Sequence, residues 1–199
     1  MLIAIEGLDG SGLSTQSNLL RDFLIKKGYQ VILTKEQTDN AIGGLIKSIL
    51  KKEFAVSPLG LQLLFAADRA HHLASEIEPA LKQNKIVISD RYIFSSLAFG
   101  SPEVDLEFLK QINSKFRKPD ITFIIDTKPE TCLERIKKTR FHLELHEEKE
   151  KLEQTRKNYL SLKDYFPNVF VIDGNGTIEE VEKNIQKIVL EKISNNLNI

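Results

Sequence analysis

Residues 2–20 constrain this chain more than any other stretch: Leu2-Ile3-Ala4-Ile5-Glu6-Gly7-Leu8-Asp9-Gly10-Ser11-Gly12-Leu13-Ser14-Thr15-Gln16-Ser17-Asn18-Leu19-Leu20. A short apolar run leads into a glycine-rich turn and then into helical spacing, the strand–loop–helix layout of a phosphate-binding loop. Glycines at 7, 10 and 12 allow backbone N–H groups to turn inward around an anion. A helix starting near residue 13 aims the positive end of its dipole at the same point. The spacing fits G-x-x-x-x-G-K-[ST] at Gly7, Gly12 and Ser14, but residue 13 is Leu where the pattern has Lys. Backbone amides and the helix terminus remain able to hold phosphates, and Ser14 keeps a hydroxyl for a magnesium ion. The point charge on the terminal phosphates is lost.

After this loop, short continuous apolar runs alternate with helical patterns. Gln30–Thr34, Ile86–Ser89, Asp120–Asp126 and Asn168–Ile172 read as further strands. Between them lie helices over about Leu13–Lys27, Ala41–Lys51, Ser57 to Gln83 (interrupted at Pro79), Asp105–Phe116, from Pro129, Glu147–Lys163 and from Thr177. Ser57-Pro58 and Thr177 with Glu180 are helix-start signals. Ile42, Leu45, Ile46, Ile49 and Leu50 form one apolar face, and Ile178, Val181, Ile185 and Ile188 another. Strands of this kind predict a five-stranded parallel sheet buried on both faces, an α/β three-layer sandwich. Ligands in such folds bind at the carboxyl ends of the strands. Charged clusters sit at three of those ends: Glu6–Ser14, Asp90-Arg91 and Asp126.

The 199 residues predict a single domain, 1–199. A formal net charge of zero offers no field for nucleic acid or an anionic membrane. No run reaches the length of a membrane span, the start has no signal-peptide pattern, and the lone Cys132 rules out an internal disulfide. The expectation is a cytoplasmic protein without nucleic-acid or membrane partners.

Two more constellations carry chemistry. Asp90, at a strand end beside the loop, is placed to hold magnesium with Ser14, and Arg91 offers a planar fork for a second phosphate. Phe65 and Arg69 are four apart, on one helix face. A ring to stack on and a guanidinium to donate to a carbonyl suit a nucleobase. A surface salt bridge at 90–91, and a core Phe beside a surface Arg, are the plainer alternatives.

Together these segments resemble the thymidylate kinase family. Leu63-Leu64-Phe65-Ala66-Ala67-Asp68-Arg69-Ala70-His71-His72 is similar to the family's thymine-gripping helix, and Asp90-Arg91-Tyr92-Ile93-Phe94-Ser95-Ser96-Leu97-Ala98-Phe99 to its D-R-Y-x-x-S-x-x-A-[YF] stretch. Gly7–Gly12, Pro129–Ile136 and Arg156–Leu160 are similar to its phosphate loop, the helix leading to its lid, and a later helix.

The resemblance implies a nucleoside-monophosphate kinase fold with a lid around 137–147, transfer of the ATP γ-phosphate to dTMP, a need for Mg2+, and a homodimer. It assigns the ATP phosphates to Gly7, Leu8, Asp9, Gly10, Ser11, Gly12, Leu13, Ser14 and Thr15, and the metal to Ser14 and Asp90. It places Asp9 on the acceptor sugar 3′-hydroxyl, Phe65 on thymine and Arg69 on a thymine carbonyl. Arg91 falls on the dTMP phosphate, Ser96 at the base edge and Phe99 beside the sugar. The catalytic set it implies is Asp9, Arg91 and, as replacement for the missing lysine, Arg140, with Lys35, Arg135, Lys137 and Lys138 as other candidates.

The chain departs from the family at three places. They are Leu13; the segment Lys35-Glu36-Gln37-Thr38-Asp39-Asn40, where an Arg-Glu-Pro-Gly-Gly-Thr type loop is usual; and Phe99-Gly100, where Tyr-Gln is common. The last two suggest a kinase with looser acceptor selectivity, or for another nucleoside monophosphate. Leu13 suggests a weakly active nucleotide-binding sensor or scaffold. His142 and His146 read as lid or surface residues, and His71-His72 as partly exposed helix.

Overall fold

The computed structural model describes the backbone of residues 1–137 and 145–196 and the side chains of 1–137 and 149–194. Five strands, β1 (Leu2–Gly7), β2 (Val31–Lys35), β3 (Ile86–Asp90), β4 (Ile121–Asp126) and β5 (Val169–Asp173), form one sheet in the order β2-β3-β1-β4-β5. Every neighbouring pair is parallel. Parallel neighbours need crossovers, and the helices that make them cover both faces. Central β1 is accordingly buried along its whole length, whereas β2 and β5 at the edges are only partly covered.

On one face α1 (Leu13–Lys26) and α9 (Ile178–Asn196) pack over Ile3, Ile5, Ile88, Phe123 and Ile125. On the other, α5 (Ile93–Gly100) and α8 (Leu145–Ser161) lead the cover over Leu2, Ala4, Val87 and Ile124. Also described are α2 (Ala41–Leu50), α3 (Pro58–His72), α4 (Glu78–Lys82), α6 (Leu106–Asn113) and α7 (Pro129–Lys137). The order of strands reverses direction at β1: its crossover to β2 runs one way and β4 lies on the other side. The carboxyl ends of β1, β3 and β4 therefore open a crevice where such sheets bind ligands.

The helix caps form as the sequence predicts. Ser57 Oγ accepts from Gly60 N at 3.0 Å. Thr177 N donates to Glu180 Oε2 at 2.8 Å, and Glu180 N donates back to Thr177 Oγ1 at 3.2 Å.

The long helix breaks near Pro79 as expected: a π turn at Leu73–Ile77 separates α3 from α4, and Pro79 falls in α4's first turn. Two expectations need correction. The apolar face of α2 is not all core. Ile46 is buried, but Leu45 and Leu50 are exposed, as are Leu63 on α3 and Ile178 at the start of α9. His72 is buried rather than partly exposed.

Candidate active site

The loop between β1 and α1 is shaped by its glycines. At Gly10 φ is +79°, and a Cβ would lie 2.6 Å from the Cys132 carbonyl oxygen of α7. At Gly7 a Cβ would lie 2.8 Å from Ile125 O of β4. At Gly12 nothing lies within 4 Å, so the loop is pressed against protein on one side and open on the other. Gly12 caps α1 without a side-chain hydrogen bond, and α1 has no acidic residue in its first turn. The first-turn amides are thus left for an anion.

The Leu13 side chain is buried and joins the core with Ile3, Ile5 and Leu20. A Lys there would enter the same apolar surroundings unless it turned into the loop.

Asp90, at the end of β3, accepts a hydrogen bond from Ser14 Oγ at 2.6 Å. This pair of hard oxygens at the mouth of the loop fits a magnesium ion, which takes few protein ligands and keeps waters and phosphates for the rest. Arg91 follows with φ +71°, a strained conformation for a non-glycine residue and one that clusters at functional sites. Its guanidinium donates to Asp9 Oδ1 at 2.6 Å and to Gly7 O at 2.9 Å, and lies 5.3 Å from the Phe99 ring centre. Phe99 in turn meets Tyr159 edge-on.

Beneath them lies Glu6, wholly buried. It accepts from Tyr92 N at 2.9 Å, Ser95 Oγ at 2.6 Å and Tyr159 Oη at 3.3 Å. Burial raises its carboxyl above the ordinary 4.5, against the opposing pull of the Ser95 bond and of Arg91 and Arg69. A carboxyl that holds its proton more tightly when folded contributes stability that is complete below its unfolded pKa and is lost as pH rises through the raised value. Glu6→Gln, which cannot titrate, should therefore gain on the wild type in thermal midpoint as pH rises from 4 to 7. A gap that narrows over that range would contradict the assignment.

The base-side residues come together. Arg69 is buried and braced on all sides. Its Nε and Nη2 donate to Glu36 Oε2 at 2.9 and 2.6 Å, Nη2 also reaches Tyr92 O and Ser96 Oγ, and Nη1 donates to Asn113 Oδ1. Glu36 is the hub of this arrangement, since its other oxygen lies 3.2 Å from His72 Nδ1. Thr38, one of the residues that replace the family's glycines, is tied to Asp68 through N and Oγ1 at 2.8 and 2.6 Å. The altered 35–40 segment is thus held to α3 by Asp68.

These groups line two cavities that meet at Asp9, Glu36 and Arg91. One, of about 570 Å3, follows the loop and is also walled by Lys35, Lys47, Asp90 and Arg135. The other, of about 210 Å3, is walled by Phe65, Arg69, Ser96 and Phe99. A third, of about 200 Å3, lies across the loop between Gly12, Gln16, Arg135 and Gly176. Arg135 reaches the Gly10 and Ser11 carbonyls at 3.3 and 3.4 Å. Lys35 and Lys47 share the Asp39 carboxylate.

Asp126, the third charged strand end, is clasped by Arg156 through Nε at 2.5 Å and Nη2 at 2.8 Å. It thereby ties α8 to the sheet. Arg140, Lys138 and His142, the side chain of His146, and most of the 137–147 lid segment lie outside the described residues.

Leu8, Asp9, Gly10, Gly12, Leu13, Ser14, Thr15, Lys35, Phe65, Arg69, Asp90, Arg91, Ser96, Phe99 and Arg135 all line the two cavities or the loop between them, whereas Lys137 does not. Sequence reasoning missed Gln62, the Glu36–His72 contact and the role of Glu6 as a buried acceptor. For Glu6 there was a signal: a carboxylate ending a run of four apolar residues has nowhere to go but inward.

A glycine loop at the switch point of a parallel sheet, facing the Ser14–Asp90 pair, the Arg91 guanidinium and a cavity walled by Phe65 and Arg69, is the layout of a phosphate-loop kinase of the nucleoside-monophosphate type. The family model for thymidylate kinase matches residues 5–185. The chain is 39% identical to a probable thymidylate kinase of Thermococcus onnurineus, over 95% of this chain and 97% of that protein. It is 41% identical to one of Pyrobaculum aerophilum, over 94% and 95%, and 38% identical to a putative thymidylate kinase of Treponema pallidum, over 92% and 91%. The chain belongs to the thymidylate kinase family.

Proposed function

We propose that this protein transfers the γ-phosphate of ATP to dTMP, giving dTDP and ADP. The observation that carries this reading is the meeting of the loop cavity and the base cavity at Asp9 and Arg91. A donor on the loop and an acceptor stacked on Phe65 would bring an oxygen of the acceptor phosphate up to the γ-phosphorus there, opposite the bridging oxygen that leaves with ADP. Phosphoryl transfer asks the protein for alignment and charge neutralisation more than for covalent chemistry. Loop amides from Gly7 to Thr15 hold the donor phosphates, and Arg91 holds the acceptor phosphate. Asp9, itself fixed by Arg91, accepts from the sugar 3′-hydroxyl. Phe99 lies against the sugar, Phe65 stacks on the base, and Arg69 and Ser96 meet its edge. Ser14 and Asp90 would hold Mg2+, which when bound neutralises phosphate charge. Arg135 links the loop cavity to the third cavity and is the described cation best placed to serve the donor phosphates in the absence of a lysine at 13. Arg140 and a lid around 137–147 extend the same proposal.

The test is label transfer. With Mg2+ and γ-labelled ATP, label should appear in dTDP, and dTMP should be preferred over other nucleoside monophosphates. ADP release without labelled dTDP, or preference for another acceptor, overturns the reading.

The protein is further proposed to act as a cytoplasmic homodimer. No described helix is long and apolar enough to cross a membrane. α2, α3 and the segment joining them expose Leu45, Phe54, Val56, Leu59 and Leu63, which a second copy would cover. Leu63→Glu should shift the mass measured by light scattering from dimer to monomer; an unchanged mass places the interface elsewhere or removes it.

A further inference from the structure

Gln62 stands one turn before Phe65 and two turns before Arg69, on the same face of α3. All three side chains wall the 210 Å3 cavity. Gln62 is 7% exposed, and its Oε1 has no hydrogen-bond partner among the described residues. A buried carboxamide oxygen left unpaired is costly, and such atoms call for an explanation.

The explanation begins on the facing helix. Residue 100, which closes α5, is Gly, and a Cβ there would lie 2.8 Å from Gln62 Cδ and 2.9 Å from its Nε2. The Gln62 amide therefore occupies the space that a side chain at 100 would fill. Gly100 on α5 thus leaves the space into which α3 sends an amide.

The geometry points to Gln62 as a specificity-determining residue for the acceptor base, with Oε1 accepting a ring N–H and Gly100 providing the room. Arg69 fixes which pyrimidine fits. A guanidinium only donates, so the exocyclic group beside it must be a carbonyl, and the neighbouring ring nitrogen must carry the hydrogen that Oε1 accepts. Among the pyrimidines, thymine and uracil present that pair. Cytosine presents an amine to Arg69 and a bare ring nitrogen to Gln62. This inference rests on the dTMP reading above and adds the residue that reads the base.

The test is calorimetric binding of dTMP and of ATP to the full-length protein. Gln62→Leu should bind dTMP about 10- to 100-fold more weakly, the loss of one buried hydrogen bond, with ATP affinity unchanged within about twofold. The kcat/KM ratio of dTMP to dCMP should fall in parallel. The double variant Gln62→Ala with Gly100→Gln returns an amide to the same space and should recover most of the dTMP affinity. Gln62→Ala with Gly100→Leu refills the volume without the amide and should recover thermal stability alone.

Unchanged dTMP binding by Gln62→Leu overturns the inference and leaves the dTMP reading standing. So does recovery of affinity by the Leu double variant, which would make Gln62 a packing residue. Should Gln62→Leu fold poorly, the two double variants decide the matter by themselves. A wild type that binds ATP but not dTMP overturns both readings together.

Discussion

Arg91→Ala is expected to lower kcat/KM for dTMP by about 10³, the upper range for loss of one preorganised electrostatic contact. Three consequences add to that loss. The guanidinium is the partner of Asp9 at 2.6 Å, so its removal frees the carboxylate assigned to the acceptor hydroxyl. It lies over the Phe99 ring, which would lose a neighbour that sets its position. It also bonds the Gly7 carbonyl at the entry to the loop, so donor and acceptor sites would both loosen. Arg91→Lys should recover only a small part, because an ammonium cannot span Asp9, Gly7 and a phosphate with one planar fork. Steady-state kinetics with dTMP varied at saturating Mg-ATP would measure this. A loss below tenfold would remove Arg91 from the acceptor phosphate.

Gly10→Ala should be nearly as damaging through backbone alone. Its Cβ would lie 2.6 Å from the Cys132 carbonyl and 3.0 Å from Ile136 Cγ1, and φ is +79°. The backbone oxygen cannot step aside without moving α7, so the loop must move. A displacement of about 1 Å in a phosphoryl-transfer site costs on the order of 10² in rate. The expected result is a rise in the KM for ATP with a fall in kcat, together at least about 100-fold in kcat/KM. Gly28→Ala is the control, with φ +90° but nothing within 4 Å and a position at the far end of α1. It should cost stability and leave the kinetics alone. Equal kinetic effects from the two would mean that backbone strain, not loop position, is being measured.

Much of this was written in the sequence, and what was not has physical causes. The strands were legible because parallel strands buried on both faces must be continuously apolar, and the loop because few residue types fit its backbone. Phe65, Arg69, Asp90 and Arg91 were legible because spacing alone puts each pair on one face or one strand end. The exposed side of α2 was misjudged because periodicity marks an apolar face without saying what covers it. Leu45 repeats as regularly as Ile46 yet faces out. Gln62 and His72 gave no local signal. Gln62 matters only because Gly100, on another helix, leaves it space. His72 is buried because Glu36, at the end of β2, comes within 3.2 Å of it. Such relations between distant residues appear only once the chain is folded.

The central claim is that this family member works without the loop lysine. Leu13 is packed into the core, while Lys35, Lys47, Arg91 and Arg135 face the loop cavity. The measurement that tests this most directly is ADP and dTDP formation by the wild type with Mg-ATP and dTMP, beside Leu13→Lys under the same conditions. The account predicts a wild type that turns over dTMP in preference to other monophosphates, and a variant improved by less than about tenfold. A silent wild type beside a variant faster by about 10²–10³, the worth of one preorganised contact, would contradict it and leave the natural protein a nucleotide binder built on a kinase frame.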